Sequence, residues 1–205
     1  MNQILYPGFG KINYKKKKKN LFILQFIISM IFLIIMIIFC IFYINTLNKQ
    51  KYISKEFIEN YDVYRLYNNI SSNNLGSDNK IFGTIEITNI NVYYPIFNNI
   101  NEELLKIAPC KFYGESLEKN GNICIAGHNY NNSMFFSNIS KLNKSDLIYI
   151  FDNLGNKYIY TVTKIYEVEP SDLSPVFNYE ENSKELTLVT CNNINNKRII
   201  VKATQ

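Results

Sequence analysis

The chain has 205 residues, with 22 Lys and Arg against 17 Asp and Glu, a single His, four Cys, no Trp and 47% apolar residues. Setting aside the six Lys among the first twenty residues (Lys11 and Lys15 to Lys19) leaves 16 cations against 17 anions, so the net charge of +5 belongs to a basic tail. That distribution excludes a basic nucleic-acid-binding domain, and a lone His, His128, excludes a His-rich metal site.

From Leu21 to Ile44 the chain runs for 24 residues without a charge, with Gln25 and Ser29 as its strongly polar interruptions. At a rise of about 1.5 Å per residue it reaches roughly 36 Å, enough for a hydrocarbon core of about 30 Å. The run is too long for the apolar region of a cleaved signal peptide, and it ends in Tyr43, Ile44, Asn45 and Thr46 rather than in small residues. It predicts a single retained transmembrane helix. Lys15 to Lys19 precede it with no comparable cluster behind, which places residues 1–20 in the cytoplasm as a basic tail and residues 45–205 outside.

Beyond the span, Ile53, Phe57, Tyr61 and Tyr64 recur at steps of four and three, the spacing of one helical face, over residues 47–68. This predicts a stalk or a helix packed on the downstream domain. The polar stretch 71–80, SSNNLGSDNK, reads as a linker. Asn is abundant throughout, so the Asn-x-Ser matches at Asn69, Asn131, Asn138 and Asn143 arise by composition and glycosylation is not expected.

Residues 81–205 are enough for one compact core and read as strands. IFGTIEI (81–87), NVYYPIF (91–97), NICIAG (122–127), DLIYIF (146–151), KYIYTVTKIYEV (157–168), ELTLVT (185–190) and RIIVKA (198–203) are rich in β-branched and aromatic residues. Pro95 marks the second as an edge or irregular strand, and DNLGN, 152–156, is a hairpin turn. Short helices are expected at Asn101 to Ile107 and at Asn132 to Leu142. The pattern predicts a mainly β fold, a closed or nearly closed barrel rather than a parallel α/β sheet.

Two segments carry chemistry. ICIAGHN, Ile123 to Asn129, delivers the only His at a strand end. In LTLVTCNNINNKRIIVKA, a hairpin with Asn192 to Lys197 as its loop pairs Cys191 with Arg198, Thr190 with Ile199 and Val189 with Ile200. Directly paired side chains share a face, so Leu186, Leu188, Thr190, Ile199, Val201 and Ala203 turn to the core while Cys191 and Arg198 share the opposite face. A guanidinium beside a thiol stabilises a thiolate or a nearby oxyanion. A lone strand-end Cys is more often inert packing, but an unpaired thiol in an extracellular domain is unusual. The residues alone therefore leave a cysteine-nucleophile enzyme and a structural Cys both open.

The order AGH, then TLVTC, then a downstream Arg resembles the sortases, membrane-anchored cysteine transpeptidases of Gram-positive bacteria. The resemblance runs over about residues 81–205, from FGTIEITNINVYYPI through KFYGESLEKNGNICIAGHN, DLIYI and KYIYTVTKIYEVEPSD to KRIIVKA. It implies a closed β-barrel of about eight strands with short helices behind one transmembrane helix. It also implies Cys191 as nucleophile, His128 as general acid and base, and Arg198 as the group that stabilises the oxyanion and positions substrate. Thr190 would help shape the oxyanion site. The implied reaction cleaves an LPxTG-like sorting signal through a thioester and transfers it to an amine. The implied partners are secreted proteins with a C-terminal sorting signal, a peptidoglycan-precursor or pilin amine, and the membrane. No cofactor, metal or nucleic acid is expected. The other readings are a mainly hydrolytic cysteine peptidase and an inactive membrane-tethered barrel used for binding.

The chain departs from the family pattern in three places: only six residues separate Cys191 from Arg198, Asn129 follows the His where many relatives have Arg, and Thr88 stands where Pro is usual. None is a catalytic position; the short gap makes the loop flanking the substrate groove small and bears on the subclass, while Asn129 and Thr88 bear on sorting-signal and amine preference. Among the remaining cysteines, Cys40 falls in the span. Cys110 and Cys124 flank the loop ESLEKNG and could face each other, although disulfide geometry is demanding and a bridge is not the expectation. No acidic run has the spacing of a calcium loop.

Overall fold

The computed structural model describes residues 14–67, 81–130 and 133–205. The expected linker at 71–80, and the side chains of Lys15 to Lys19, Tyr61 and Tyr64, lie outside the described residues. The chain divides into two compact units, Met1–Asn48 and Lys49–Gln205. Helix α1 spans Tyr14–Tyr67. Residues 21–44 within it are exposed throughout, and among the described residues this is the helix long and apolar enough to cross a membrane.

In the second unit, eight strands close into a barrel: β1 (Ile81–Ile87), β2 (Val92–Phe97), β3 (Cys110–Tyr113), β4 (Gly121–Ala126), β5 (Leu147–Asp152), β6 (Lys157–Val168), β7 (Lys184–Cys191) and β8 (Arg198–Thr204). Their order around the barrel is β1-β2-β3-β4-β7-β8-β6-β5, with β5 pairing back to β1. The mainly β, closed-barrel reading of the sequence holds. Two short helices, α2 (Glu102–Leu105) and α3 (Ser174–Phe177), lie in connections.

The alternation seen in sequence fills the barrel. Ile85, Ile87, Ile125, Ile148, Ile150, Leu186, Leu188, Val201 and Ala203 are fully buried and join Phe136, Ile139 and Tyr160 in one core. Burying a large apolar side chain is worth about 1.5–3 kcal/mol, so this layer dominates stability. Gly83 is required by close approach of β1 to β5, since a Cβ there would lie 2.3 Å from the Phe151 carbonyl oxygen. Pro95 is tolerated because β2 meets β3 at one pair only, Phe97 with Cys110, leaving that flank nearly open. The 152–156 turn forms as expected: the Asp152 carboxylate accepts from the Leu154 and Asn156 amides, and Gly155 takes φ +88.

A second, smaller cluster joins Ile81, Phe97, Leu104, Ala108 and Cys110. Phe57 of α1 stacks on Phe97 with ring centroids 5.2 Å apart, so part of the face expected at 53–64 does pack on the barrel.

The sequence reading needs correction at two points. The helix expected at Asn132 to Leu142 is absent over 133–142, which forms turns and a single 3₁₀ turn, Ile139–Lys141. Ser133 and Phe135 adopt φ of 67 and 49, which a right-handed helix does not admit; Phe135, Phe136, Ile139 and Leu142 instead plug the loop into the core. Strand β3 is absent from the expected set, because four residues interrupted by Lys111 carry too little periodicity. Cys110 and Cys124 are both free thiols, and the register sets Cys110 against Ala126 and Cys124 against Tyr113, not against each other.

The connection from β6 to β7 is fastened to the outer face of the barrel by buried polar groups. Asn122 donates to the carbonyls of Pro175 and Val176 and accepts from Thr187 Oγ1. Lys202 donates to Pro175 and pairs with Glu185 at 2.8 Å. Each buried polar atom in this set has its partner, and the buried Pro175 and Val176 and the edge-on contact of Phe177 with Tyr113 add apolar packing to the connection.

Candidate active site

The hairpin register read from sequence is the register observed: Cys191 pairs with Arg198, Thr190 with Ile199 and Val189 with Ile200. Its consequence is direct contact, for Arg198 Nη1 donates to Cys191 Sγ at 2.6 Å. Both side chains are half-buried at the rim, where a cation is only partly screened by water.

His128 arrives from the neighbouring strand. β4 and β7 pair in parallel from Gly121 with Lys184 to Ala126 with Val189, a constant offset. Carried two residues beyond the end of β4, that offset sets His128 level with Cys191. The extension is fixed by bonds beyond the ladder. Gly127 N–H donates to the Val189 carbonyl, and Thr190 Oγ1 donates to the Gly127 carbonyl at 2.6 Å. Thr190 is thus buried with its hydroxyl engaged as a tie between strands rather than as an oxyanion donor. Gly127 is required here, since a Cβ would meet the buried Phe136 ring at 2.7 Å.

Asn129 completes the connection. Its Nδ2 donates to the Cys191 carbonyl at 2.9 Å, while its own carbonyl accepts from Asn193 Nδ2 at 2.7 Å. The residue that replaces the usual Arg therefore staples the His strand end to the Cys strand end. Sequence reading marks Asn129 as a departure but misses this role, because Asn is too common in the chain for any one to stand out.

The His128 ring lies 4.8 Å from the Tyr130 ring and is half-buried. Burial, and then the charge of Lys106, hold its pKa below the ordinary 6.5, with Glu102 opposing. The imidazole is accordingly mostly neutral at pH 7. Because the folded chain binds this proton more weakly than the unfolded chain, the associated stability is complete above 6.5 and is lost as pH falls below it. Lys106 and Glu102 come from the α2 segment, which Asn101 caps by accepting from the Leu104 amide. Removing the Lys106 charge in Lys106→Gln is expected to move the His128 titration midpoint upward. With one His in the chain, a ¹³C-His NMR titration of the full chain in detergent micelles reads it without ambiguity. A midpoint that stays put or falls would show that Lys106 does not act on His128.

Burial pushes the Cys110 and Cys124 thiols up to about 12, so both are protonated at neutral pH and neither competes as a nucleophile. Among the described residues, no three His, Cys, Asp or Glu side chains converge as a metal site. The structure thus brings together Cys191 and Arg198 by contact and His128 by register.

The family model for the Sortase domain matches residues 85–205, more than half of the chain. Sortase A of Bacillus anthracis is 33% identical over 126 residues, covering 60% of this chain, which in turn spans only 58% of that relative's length. Among solved structures, a Clostridium perfringens Sortase D5 transpeptidase superposes with a TM-score of 0.60 at 29% identity, covering 74% of this chain and 97% of that one. Sortase C of Streptococcus pneumoniae gives 0.55 at 28% identity, covering 60% and 67%. Barrel, motif order and family match agree, and the chain belongs to the sortase family.

Proposed function

We propose that this chain is a membrane-anchored cysteine transpeptidase with Cys191, His128 and Arg198 as its catalytic residues. The observation that carries the reading is the 2.6 Å contact between Arg198 and the Cys191 sulfur at the strand end next to His128. His128, neutral at rest, takes the Cys191 thiol proton as Sγ attacks the carbonyl carbon after Thr in an LPxTG-like sorting signal, and Arg198 N–H groups stabilise the oxyanion. As the C–N bond breaks, His128 gives its proton to the departing amine, leaving a thioester on Cys191. A second amine, from a peptidoglycan precursor or a pilin Lys, attacks that thioester while His128 accepts its proton. The chemistry uses protein groups alone.

The proposed organisation is a basic tail over 1–20, a single span over 21–44, a stalk and linker over 45–80 and the catalytic domain over 81–205. The positive-inside rule sets the N-terminus in the cytoplasm and the barrel outside. Tethering suits the reaction, because a secreted substrate and a lipid-linked amine both concentrate at that membrane surface.

The test is to incubate the full chain in detergent micelles with a library of sorting-signal peptides and candidate amines and to follow adducts by mass spectrometry. A thioester on Cys191 that an amine resolves is expected. Hydrolysis without aminolysis would favour a peptidase, and the absence of any Cys191 adduct would leave a binding module.

A further inference from the structure

The six-residue loop between Cys191 and Arg198 sets the geometry of their contact, yet apolar packing does not hold it. Residues 193–196 are exposed, and Ile194 at the tip is 95% exposed. What holds the loop is polar: besides the bond from Asn193 to the Asn129 carbonyl, its ties come from the end of β6. Asn192 Nδ2 donates to Glu167 Oε1 at 2.6 Å, and Asn195 Nδ2 donates to Glu167 Oε2 at 2.8 Å. One carboxylate thereby grips the loop at its first and fourth residues. Nearby, Lys197 pairs with Glu169 at 3.1 Å, and the Asn192 amide closes the loop on the Lys197 carbonyl at 2.8 Å.

The orientation of both amides is fixed independently of Glu167. Asn192 Oδ1 accepts from the Ile194 amide and Asn195 Oδ1 accepts from the Lys197 amide, each closing a turn within the loop. Neither side chain can flip without losing its turn, so both present NH₂ groups toward residue 167. The Glu167 carboxylate meets both, one oxygen to each amide, whereas a Gln in the same place would turn an NH₂ toward one of them. The donors from Asn195 and Asn192 also hold the Glu167 carboxyl below the usual carboxylate range, so it stays ionised at neutral pH.

Glu167 sits beside the reacting pair without touching it. In the β6–β8 ladder it pairs with Ile199, and its neighbour Val168 pairs with Arg198. We propose that Glu167 is a positioning residue whose carboxylate, by gripping Asn192 and Asn195, fixes the loop so that Arg198 meets Cys191. This deepens the transpeptidase reading and rests on it for its meaning in turnover, while the geometric claim concerns the thiol itself.

The test measures Cys191 alkylation by iodoacetamide against pH, by peptide mass spectrometry on the full chain in micelles, for Glu167→Gln, Asn192→Asp and Arg198→Ala. Glu167→Gln opposes a donor to a donor, and Asn192→Asp keeps its turn but opposes carboxylate to carboxylate. Each is expected to slow alkylation at pH 7 about tenfold and to move the profile toward that of Arg198→Ala. In the Arg198→Ala background, Glu167→Gln is expected to add almost nothing, because it acts through the residue already removed. An unchanged profile in both single variants would overturn the proposal, as would a full additional effect in the double variant. If Glu167→Gln does not fold, Asn192→Asp carries the same decision from the other side of the grip. No sorting peptide enters this assay, so failure to find a peptide substrate would leave its outcome unaffected.

Discussion

Cys191→Ala is expected to abolish acyl-enzyme formation and transfer, a loss of at least about 10⁴-fold, while leaving thermal unfolding near that of the parent chain. The size of the effect follows from the absence of a substitute. Cys110 and Cys124 are buried and hold their protons up to about 12, and Cys40 lies in the apolar run of α1. The small effect on folding follows from the position of Cys191. It ends β7 half-buried on the rim, and the ladder from Glu185 with Thr204 to Thr190 with Ile199 does not depend on its sulfur. His128→Ala is expected to cost about 10²–10⁴-fold, the usual worth of a positioned acid and base. Mass spectrometry of the peptide incubation checks both variants. Adducts that persist on Cys191→Ala would move the nucleophile elsewhere and undo the assignment.

The difference between what was and was not legible in the sequence is physical. The β7–β8 hairpin was readable down to its register, because a short loop and strict alternation leave one arrangement that buries Leu186, Leu188, Val201 and Ala203 together. The span and most strands were readable for the same reason, since local patterning sets them. The parallel pairing of β4 with β7, which brings His128 to Cys191, joins segments about sixty residues apart, a separation visible in the Asn129 and Thr190 bonds that reinforce it. No local signal announces such a pairing. Composition singled out His128 as the lone His, and the family resemblance supplied its role beside Cys191, which spacing could not. The grip of Glu167 on Asn192 and Asn195 was hidden twice over, by distance along the chain and by residue types that composition makes commonplace. The segment 133–142 misled in the opposite way: its apolar spacing suited a helix, but the left-handed backbone at Ser133 and Phe135 turns the apolar side chains of this loop into plugs for the barrel.

Arg198→Ala is expected to lower kcat about 10²–10³-fold, the range for removing one oxyanion donor, with stability changed by less than about 1 kcal/mol. The prediction separates two roles that a strand-end Arg can play. A structural Arg would be bound to acceptors that its removal leaves unsatisfied. Arg198 instead donates to Cys191 Sγ, and the burial of β8 resides in Ile199, Ile200, Val201 and Ala203. Arg198→Lys should recover only part of the rate. An ammonium keeps the charge but not the planar fork that can meet sulfur and developing oxyanion together. Turnover and urea unfolding, measured in parallel on the full chain in micelles, decide the matter. If both fall in proportion, Arg198 serves the fold. If turnover falls while the unfolding midpoint holds, and Lys stands between Arg and Ala, the guanidinium works on the reaction, and its placement against the thiol is what the β7–β8 register accomplishes.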